Sequence, residues 1–206
     1  MKGRFDYSFI FLCISGIVSH LLDLLVIDQN DRFCGTAVLA RIGLNLLFHV
    51  LADKDKINVA EPQQKTATVA GKEKTFVVYD VTDESGTKLG KAVQTSENGF
   101  GGELQVLVGF DQEGTILGYT ILQHAETPGL GAKAGDWFQK ENGEKRTVVG
   151  KNPGKANFTV SKDGGDIDAI TASTITSRAF LLAIKNAYDN TCVTDANTGA
   201  TTQANK

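Results

Sequence analysis

The spacing of apolar residues divides this chain into an N-terminal part, residues 1–52, and a longer remainder. Residues 9–27 are apolar over a length that lets an α-helix cross a bilayer, although His20 and Asp23 interrupt the stretch. This pattern favours a single membrane anchor; a buried or interfacial helix is the alternative. Residues 36–52 carry a polar residue at every fourth position of an otherwise apolar wheel, which predicts an amphipathic helix.

A different pattern begins after the amphipathic helix. Residues 53–74 are polar and interrupted by Pro62, which predicts a linker. From residue 75 onward apolar residues recur at every second position, which is typical of β-strands. The predicted strands are residues 76–82, 89–95, 103–110 and 115–122, with short strands at 147–149 and 158–160. The glycine-containing turns at 83–86 and 111–114 predict antiparallel hairpins.

Helices complete the predicted domain. Residues 177–188 have one apolar face and predict a helix, and residues 134–140 predict a shorter one. Residues 191–206 are rich in Thr, Asn, Ala and Gln, which predicts a disordered tail. The fold predicted for residues 75–190 is therefore α+β, a twisted, mostly antiparallel sheet with packed helices, preceded by the N-terminal membrane helix.

Composition restricts the chemistry that the chain can perform. The 206 residues have a formal net charge of −3 and a pI near 5.6, which does not favour a nucleic-acid partner. Cys13, Cys34 and Cys192 lie far apart and the three histidines are isolated, so neither a metal site nor a dithiol redox site is predicted. No motif supplies a hydrolase nucleophile, and no catalytic residue is predicted. Redox chemistry would therefore require an organic cofactor.

The charges around the apolar stretch are asymmetric. Lys2 and Arg4 precede it, whereas Asp28 and Asp31 follow it. Under the positive-inside rule the N-terminus would lie in the cytoplasm and the domain on the outer side of the membrane.

A glycine-rich loop, Thr127-Pro128-Gly129-Leu130-Gly131, follows the last long predicted strand. With Gly135 it forms Gly-x-Gly-x-x-x-Gly, one residue longer than the dinucleotide-binding fingerprint. Spacing alone leaves two interpretations open, a tight structural turn and a loop whose backbone approaches a flat or anionic ligand. The acidic run at 163–168 lacks the spacing of a calcium loop and favours a turn with solvated acids.

Five hydroxyl side chains lead into the helix predicted at residues 177–188. They are Thr171, Ser173, Thr174, Thr176 and Ser177, and Asp168 precedes them. One or two hydroxyls would suffice to cap a helix. The free N–H groups and the positive dipole end of a helix N-terminus also attract phosphate. The cluster leaves open a capping role and the hypothesis that one threonine carries a phosphate-linked group.

Two motifs in this order carry a family resemblance. The first is His124-Ala-Glu126-Thr127-Pro128-Gly129-Leu130-Gly131, and the second is Asp168-x-x-Thr171-Ala172-Ser173-Thr174-x-Thr176-Ser177. Over residues 75–190 the chain resembles the FMN-binding domain of the G subunit of the Rnf electron-transport complex. It also resembles the related C subunit of the sodium-pumping quinone reductase. Residues 1–52 depart from the single clean anchor of family members, and an altered reading frame upstream of the domain would produce such a mismatch.

The resemblance implies a covalently bound cofactor. In the family, a flavin transferase attaches FMN through a phosphoester bond to a hydroxyl, and the matching position is Thr174. The resemblance further implies flavin contacts from Glu126, Thr127, Pro128, Gly129, Leu130 and Gly131. It implies that the site is completed by Asp168, Thr171, Ser173, Thr176 and Ser177. Ala172 and Ser173 stand where the family usually has Gly and Ala.

The function implied by the resemblance is that of an electron carrier in a membrane-bound, Rnf-like ferredoxin:NAD oxidoreductase coupled to ion translocation. Its expected partners are other membrane subunits and the flavin transferase. The expected location is the bacterial inner membrane, crossed once, with the flavin domain on the periplasmic side. A C-type subunit of the quinone reductase and a cofactor-free, membrane-tethered interaction domain are the alternatives.

Overall fold

A computed structural model describes residues 57–139, 143 and 145–198. Within this part of the chain, six β-strands form one antiparallel sheet with two α-helices. The strands are β1 (Ile57–Val59), β2 (Gln63–Val69), β3 (Lys72–Asp83), β4 (Lys88–Asn98), β5 (Glu103–Asp111) and β6 (Ile116–Gln123). The helices are α1 (Ala134–Trp137) and α2 (Thr174–Thr198), and short 3-10 turns cover Gly131–Lys133 and Ser161–Asp163.

The sheet has the order β1-β3-β4-β5-β6, and β2 also pairs with β3. Two strands pair with the same edge of the long strand β3: β2 pairs along residues 72–78 and β1 along residues 81–83. An antiparallel sheet with packed helices is what the sequence predicts for this region, and that part of the prediction is confirmed. The predicted membrane anchor and amphipathic helix of residues 1–52 lie outside the described residues.

Two hairpin turns close as their sequences predict. In the β3–β4 turn the Asp83 carboxylate accepts hydrogen bonds from the backbone N–H groups of Ser85 and Thr87, at 2.8 and 2.9 Å. The Asp111 carboxylate makes the same pair of bonds in the β5–β6 turn. Each turn contains a glycine with positive φ, so the Asp-x-x-Gly pattern is sufficient to form it.

The main core lies on the face of the sheet that both helices cover. Phe180 of α2 stacks on Phe138 with ring centroids 4.6 Å apart and meets the edge of Tyr119 at 4.7 Å. The Tyr119 hydroxyl donates to the Ala134 carbonyl at 2.8 Å, which fixes the start of α1 against β6. The opposite face carries a smaller cluster formed by Val81, Ala92 and Leu107. The core thereby holds the loop between β6 and α1 close to the start of α2.

The predicted linker at residues 53–74 contains strands from residue 57 onward. A two-residue turn at Ala70 and Gly71, both with positive φ, joins β2 to β3. The side chains of β2 are only partly buried because the strand packs on one side alone. Edge strands of this kind carry a weak apolar pattern, which explains why the segment resembles a linker in sequence.

Two other segments also differ from expectation. Residues 147–149 do not form a strand but lie between and within turns at 145–146 and 149–150, and residues 158–160 contribute a single bridge from Val160 to Ile167. The last helix continues to Thr198, past the predicted start of a disordered tail at residue 191. Thr191 is buried, and its carbonyl accepts a bond from the buried Lys91 ammonium at 3.0 Å. This tertiary contact extends a helix whose local sequence does not favour one.

Candidate functional site

The backbone bends sharply just before α2. Ala172 has φ +61, in the left-handed region that residues other than glycine rarely adopt. The Ser173 N–H then donates to the Ile170 carbonyl, and the Ser177 N–H makes the first helical bond to the Ser173 carbonyl, both at 3.0 Å. The bend explains why glycine suits position 172 in the resembling family. In this chain an alanine adopts the strained conformation.

Two of the five clustered hydroxyls are engaged in buried bonds. The Ser177 hydroxyl accepts from the Ile170 N–H and donates to the Ser173 carbonyl, both at 2.9 Å, and the side chain is fully buried. The Thr176 hydroxyl, also buried, donates to Glu126 Oε2 at 2.6 Å. These hydroxyls link the helix start to the bend and to the glycine-rich loop.

Glu126 directly precedes that loop, and its side chain faces inward. Its carboxylate is buried, and Oε1 accepts from the Gly101 N–H at 3.1 Å while Oε2 accepts from Thr176. A Cβ added at Gly99 or at Gly131 would overlap the carboxylate. Because both positions are glycine, there is room for the Glu126 side chain. Its carboxylate links the β4–β5 turn, the glycine-rich loop and the start of α2. The carboxylate is therefore satisfied by protein groups.

The exposed part of the loop has a different geometry. Thr127, Pro128, Gly129 and Leu130 are all exposed, whereas Gly131 is buried. The Leu130 N–H donates to the Thr127 carbonyl at 3.1 Å, and Gly129 has φ +77 with open space where a Cβ would be. Gly129 is thus required by its backbone conformation and Gly131 by the space that Glu126 and Thr176 occupy.

Thr174 occupies the solvent side of the helix start. Its side chain is partly exposed, and Lys162 Nζ donates to its Oγ1 at 3.4 Å. The N–H groups of the first turn precede the first helical bond, so they have no intrahelical acceptor. An ammonium group, these N–H groups and the positive helix end all favour a phosphate at this hydroxyl. The residues present therefore fit a phosphate-linked group on Thr174.

Asp168 helps to position Lys162 through a bond to the neighbouring Ser161. Its Oδ1 accepts from the Ser161 hydroxyl at 2.7 Å, and its carbonyl accepts from Trp137 Nε1 at 3.0 Å. Since Ser161 directly precedes Lys162, the bond holds the turn that presents the lysine. Asp168 thus acts on the site through the backbone at residues 161–162.

The acidic turn that includes Asp163 carries a charge pair beside the site. Arg178 makes two bonds to the Asp163 carboxylate, each at 2.7 Å. These hydrogen bonds hold the pKa of Asp163 below its ordinary value and raise the pKa of Arg178. Both side chains are exposed, and their charges offset one another next to Thr174.

A polar cleft adjoins Asp168. Its volume is about 720 Å³, and it is lined by Lys145, Thr147, Val149, Gly150, Lys151, Ser161, Gly165, Asp166 and Asp168. The lining carries two lysines and two aspartates, so the cleft has no excess of either charge.

Sequence reasoning missed three contributors to the site, namely Gly99, Gly101 and Lys162. The glycine-rich segment at 99–102 is visible in the sequence, but pairing of β5 with β6 is needed to bring it to Glu126. Lys162 lies twelve residues before Thr174, and only the folded turn joins them. The five hydroxyls, by contrast, do lie together at the helix start.

Neither a metal site nor a membrane span is found within residues 57–139, 143 and 145–198. These residues contain no group of three or more His, Cys, Asp or Glu side chains arranged to hold a metal ion. None of the helices in the same part of the chain has both the length and the apolar character to span a membrane.

Comparison with known proteins gives a family match for part of the chain. Residues 99–189 match the FMN-binding domain family. The chain is 43% identical over 97 residues to the G subunit of the ion-translocating oxidoreductase complex of Salmonella typhi, covering 45% of each chain. It is 34% identical over 144 residues to the protein of the same name from Vibrio cholerae serotype O1, covering 68% of this chain and 60% of that protein.

The chain thus spans about half the length of the curated relatives that it matches. A crystal structure of the C subunit of the Na(+)-translocating NADH-quinone reductase from Parabacteroides distasonis aligns with a TM-score of 0.39 at 23% identity. The alignment covers 66% of this chain and 75% of that one. Both motifs of the candidate site fall inside the family match. Residues 99–189 of this chain therefore match the FMN-binding domain family, and the chain is similar to the G subunits of ion-translocating oxidoreductase complexes.

Proposed function

We propose that this chain carries FMN through a phosphoester bond to the hydroxyl of Thr174 and serves as an electron-carrier subunit of an Rnf-like ion-translocating oxidoreductase. The observation that carries the proposal is the division of the hydroxyl cluster. Thr176 and Ser177 are buried, and their hydroxyls hydrogen-bond to protein groups. Thr174 is partly exposed and lies beside the Lys162 ammonium. The family match and the relatives named as G subunits supply the cofactor and the class of complex.

The chain's own residues would hold the phosphate of such a group. Lys162 supplies a positive charge, and the first turn of α2 supplies backbone N–H donors. Asp168 holds the lysine turn through Ser161, and Glu126 holds the glycine-rich loop against Thr176. When bound, FMN supplies the electron-transfer chemistry, while the protein orients it and adjusts its electrostatic surroundings.

The relatives support a wider role. They are named as subunits of a complex, so we infer that this chain associates with other membrane subunits. Attachment of its flavin by a transferase is the part of the proposal that rests on the family resemblance. Electron exchange between ferredoxin and NAD, coupled to ion translocation, is the activity proposed for the whole assembly. The charges around residues 9–27 favour the outer side of the bacterial inner membrane for the flavin domain.

The test is the mass of the chain after co-expression with a flavin transferase. We expect the wild-type chain to gain the mass of one FMN less one water, and Thr174→Ala to gain none. Thr174→Ser should retain the modification because a seryl hydroxyl can form the same bond. Thr68→Ala is the matched control, since Thr68 is an exposed threonine on β2 outside both motifs. Modification of Thr174→Ala, or an equal loss of modification in Thr68→Ala, would overturn the assignment.

A further inference from the structure

Phe100 is the most exposed large apolar side chain in the described part of the chain, at 70%. Ile175 and Leu130 are also exposed, at 52% and 40%. The three residues come from the β4–β5 turn, the first turn of α2 and the glycine-rich loop, which are far apart in sequence. We call them the apolar patch.

The three segments of the apolar patch meet at the bond between Glu126 and Thr176. Phe100 lies between two glycines, and the Gly101 N–H donates to Glu126 Oε1 at 3.1 Å. Leu130 precedes Gly131, which packs against Glu126 and Thr176. Ile175 lies directly between Thr174 and Thr176. The segments that carry these exposed apolar side chains therefore meet at the start of α2, where the phosphate-linked group is proposed.

The turn that carries Phe100 is held in place. The Gly99 N–H donates to the Gly102 carbonyl at 2.8 Å, and Gly101 packs against the backbone of Ala125. A Cβ added at Gly101 would overlap the Ala125 carbonyl. A fixed turn presents an aromatic ring to a ligand with little loss of conformational entropy.

Resting on the proposed attachment at Thr174, we infer that the isoalloxazine ring of the flavin packs on the apolar patch, with Phe100 as its aromatic contact. The ring system is flat, aromatic and largely apolar, and it stacks favourably against an aromatic side chain. Ile175 directly follows the attachment residue, so the patch begins within one residue of the tether. Contact between ring and patch removes apolar surface of both from water.

The experiment uses the full chain with FMN attached, verified by mass, and measures quenching of flavin fluorescence by iodide. Phe100→Ser uncovers one face of the isoalloxazine ring. Because the ring loses one stacking contact, we expect the iodide quenching constant to rise about threefold. Leu130→Ser should raise it less. Leu182→Ser is the matched control, because Leu182 is 49% exposed on the same helix but lies two turns beyond Ile175. It should leave quenching unchanged.

The outcomes separate this inference from the proposed function. An unmodified wild-type chain would overturn both the attachment and the ring contact. Normal modification with unchanged quenching in Phe100→Ser would overturn the ring contact alone, as would an equal change in Leu182→Ser. If Phe100→Ser weakens association with other subunits without altering the flavin signal, the patch is a protein contact and the inference is wrong. Circular dichroism checks that each variant is folded. Phe100→Tyr keeps an aromatic ring, so its iodide quenching constant, normalised to the emission without iodide, should equal that of the wild-type chain.

Discussion

The two sides of the first turn of α2 differ in what their hydroxyl groups do. On the buried side, Thr176 and Ser177 make short bonds to Glu126 and to the backbone around the bend. On the solvent side, Thr171 and Thr174 retain exposed surface, and Lys162 donates to Thr174. One sequence cluster therefore contains structural hydroxyls and a partly exposed hydroxyl beside a lysine.

The difference arises from the periodicity of the helix and from the segments packed against it. Residues 176 and 177 point toward the loop and the core, where an unpaired polar group would be costly. Residue 174 points toward the turn at 161–163, whose lysine and aspartate are solvated. Substitutions on the buried side should therefore affect folding, and those on the solvent side should affect modification.

The largest effect on stability is expected at Gly131. In Gly131→Ala the new Cβ overlaps Glu126 Oε2 and Thr176 Oγ1, so the buried carboxylate must move and its bonds break. We expect a loss of about 3 kcal/mol in the free energy of unfolding. Urea denaturation of the full chain measures it. Gly135→Ala is the matched control, because a Cβ there meets nothing within 4 Å.

This prediction tests the buried side of the comparison directly. Equal stability of the Gly131 and Gly135 variants would show that the Glu126 cluster does not hold the helix start. That result would favour the hypothesis from the sequence that Gly131 lets the backbone approach a flavin.

A smaller effect is expected at Ser177, on the same side. Ser177→Ala removes a hydroxyl that pairs with the Ile170 N–H and the Ser173 carbonyl, leaving a buried donor without its acceptor. We expect a loss of about 2 kcal/mol. Thr171→Ala, on the exposed side, should change the free energy of unfolding by less than about 0.5 kcal/mol. Similar losses in both variants would contradict the division between the two sides.

The smallest effect, of opposite sign, is expected at Ala172. Ala172→Gly relieves the left-handed strain at φ +61, at the expense of a more flexible unfolded chain. The net gain should be about 0.5–1 kcal/mol in the free energy of unfolding. Thermal denaturation monitored by circular dichroism measures it. A destabilised glycine variant would show that the bend is not strained in solution.

The sequence predicted an element of the fold correctly where the residues of that element are themselves sufficient to form it. The Asp-x-x-Gly turns at 83–86 and 111–114 form from their own side chains, and sequence identified both. Strand β2 and the last turns of α2 depend on a neighbouring strand and on Lys91. Their own residues are polar, so the sequence predicted a linker and a tail in those places.

In the candidate site, too, features set by neighbouring residues were predictable and features set by distant segments were not. The hydroxyl cluster lies at a helix start as predicted, because capping residues act within one turn of chain. The inward orientation of Glu126 was not predictable, since it depends on Gly99 and Gly101 from another hairpin. Phe100 gave no signal of its own, because exposure is a property of the folded surface.

The sequence by itself determined the alternation of the strands, the turns between them and the two motifs that match the FMN-binding domain family. These features depend on residues close together in the chain, where spacing decides the conformation. Only the tertiary structure decided which hydroxyl is buried, which glycine makes room for Glu126 and which lysine faces Thr174. The Lys162–Thr174 and Glu126–Thr176 contacts join residues 12 and 50 positions apart, and packing of α2 against the sheet brings such segments together.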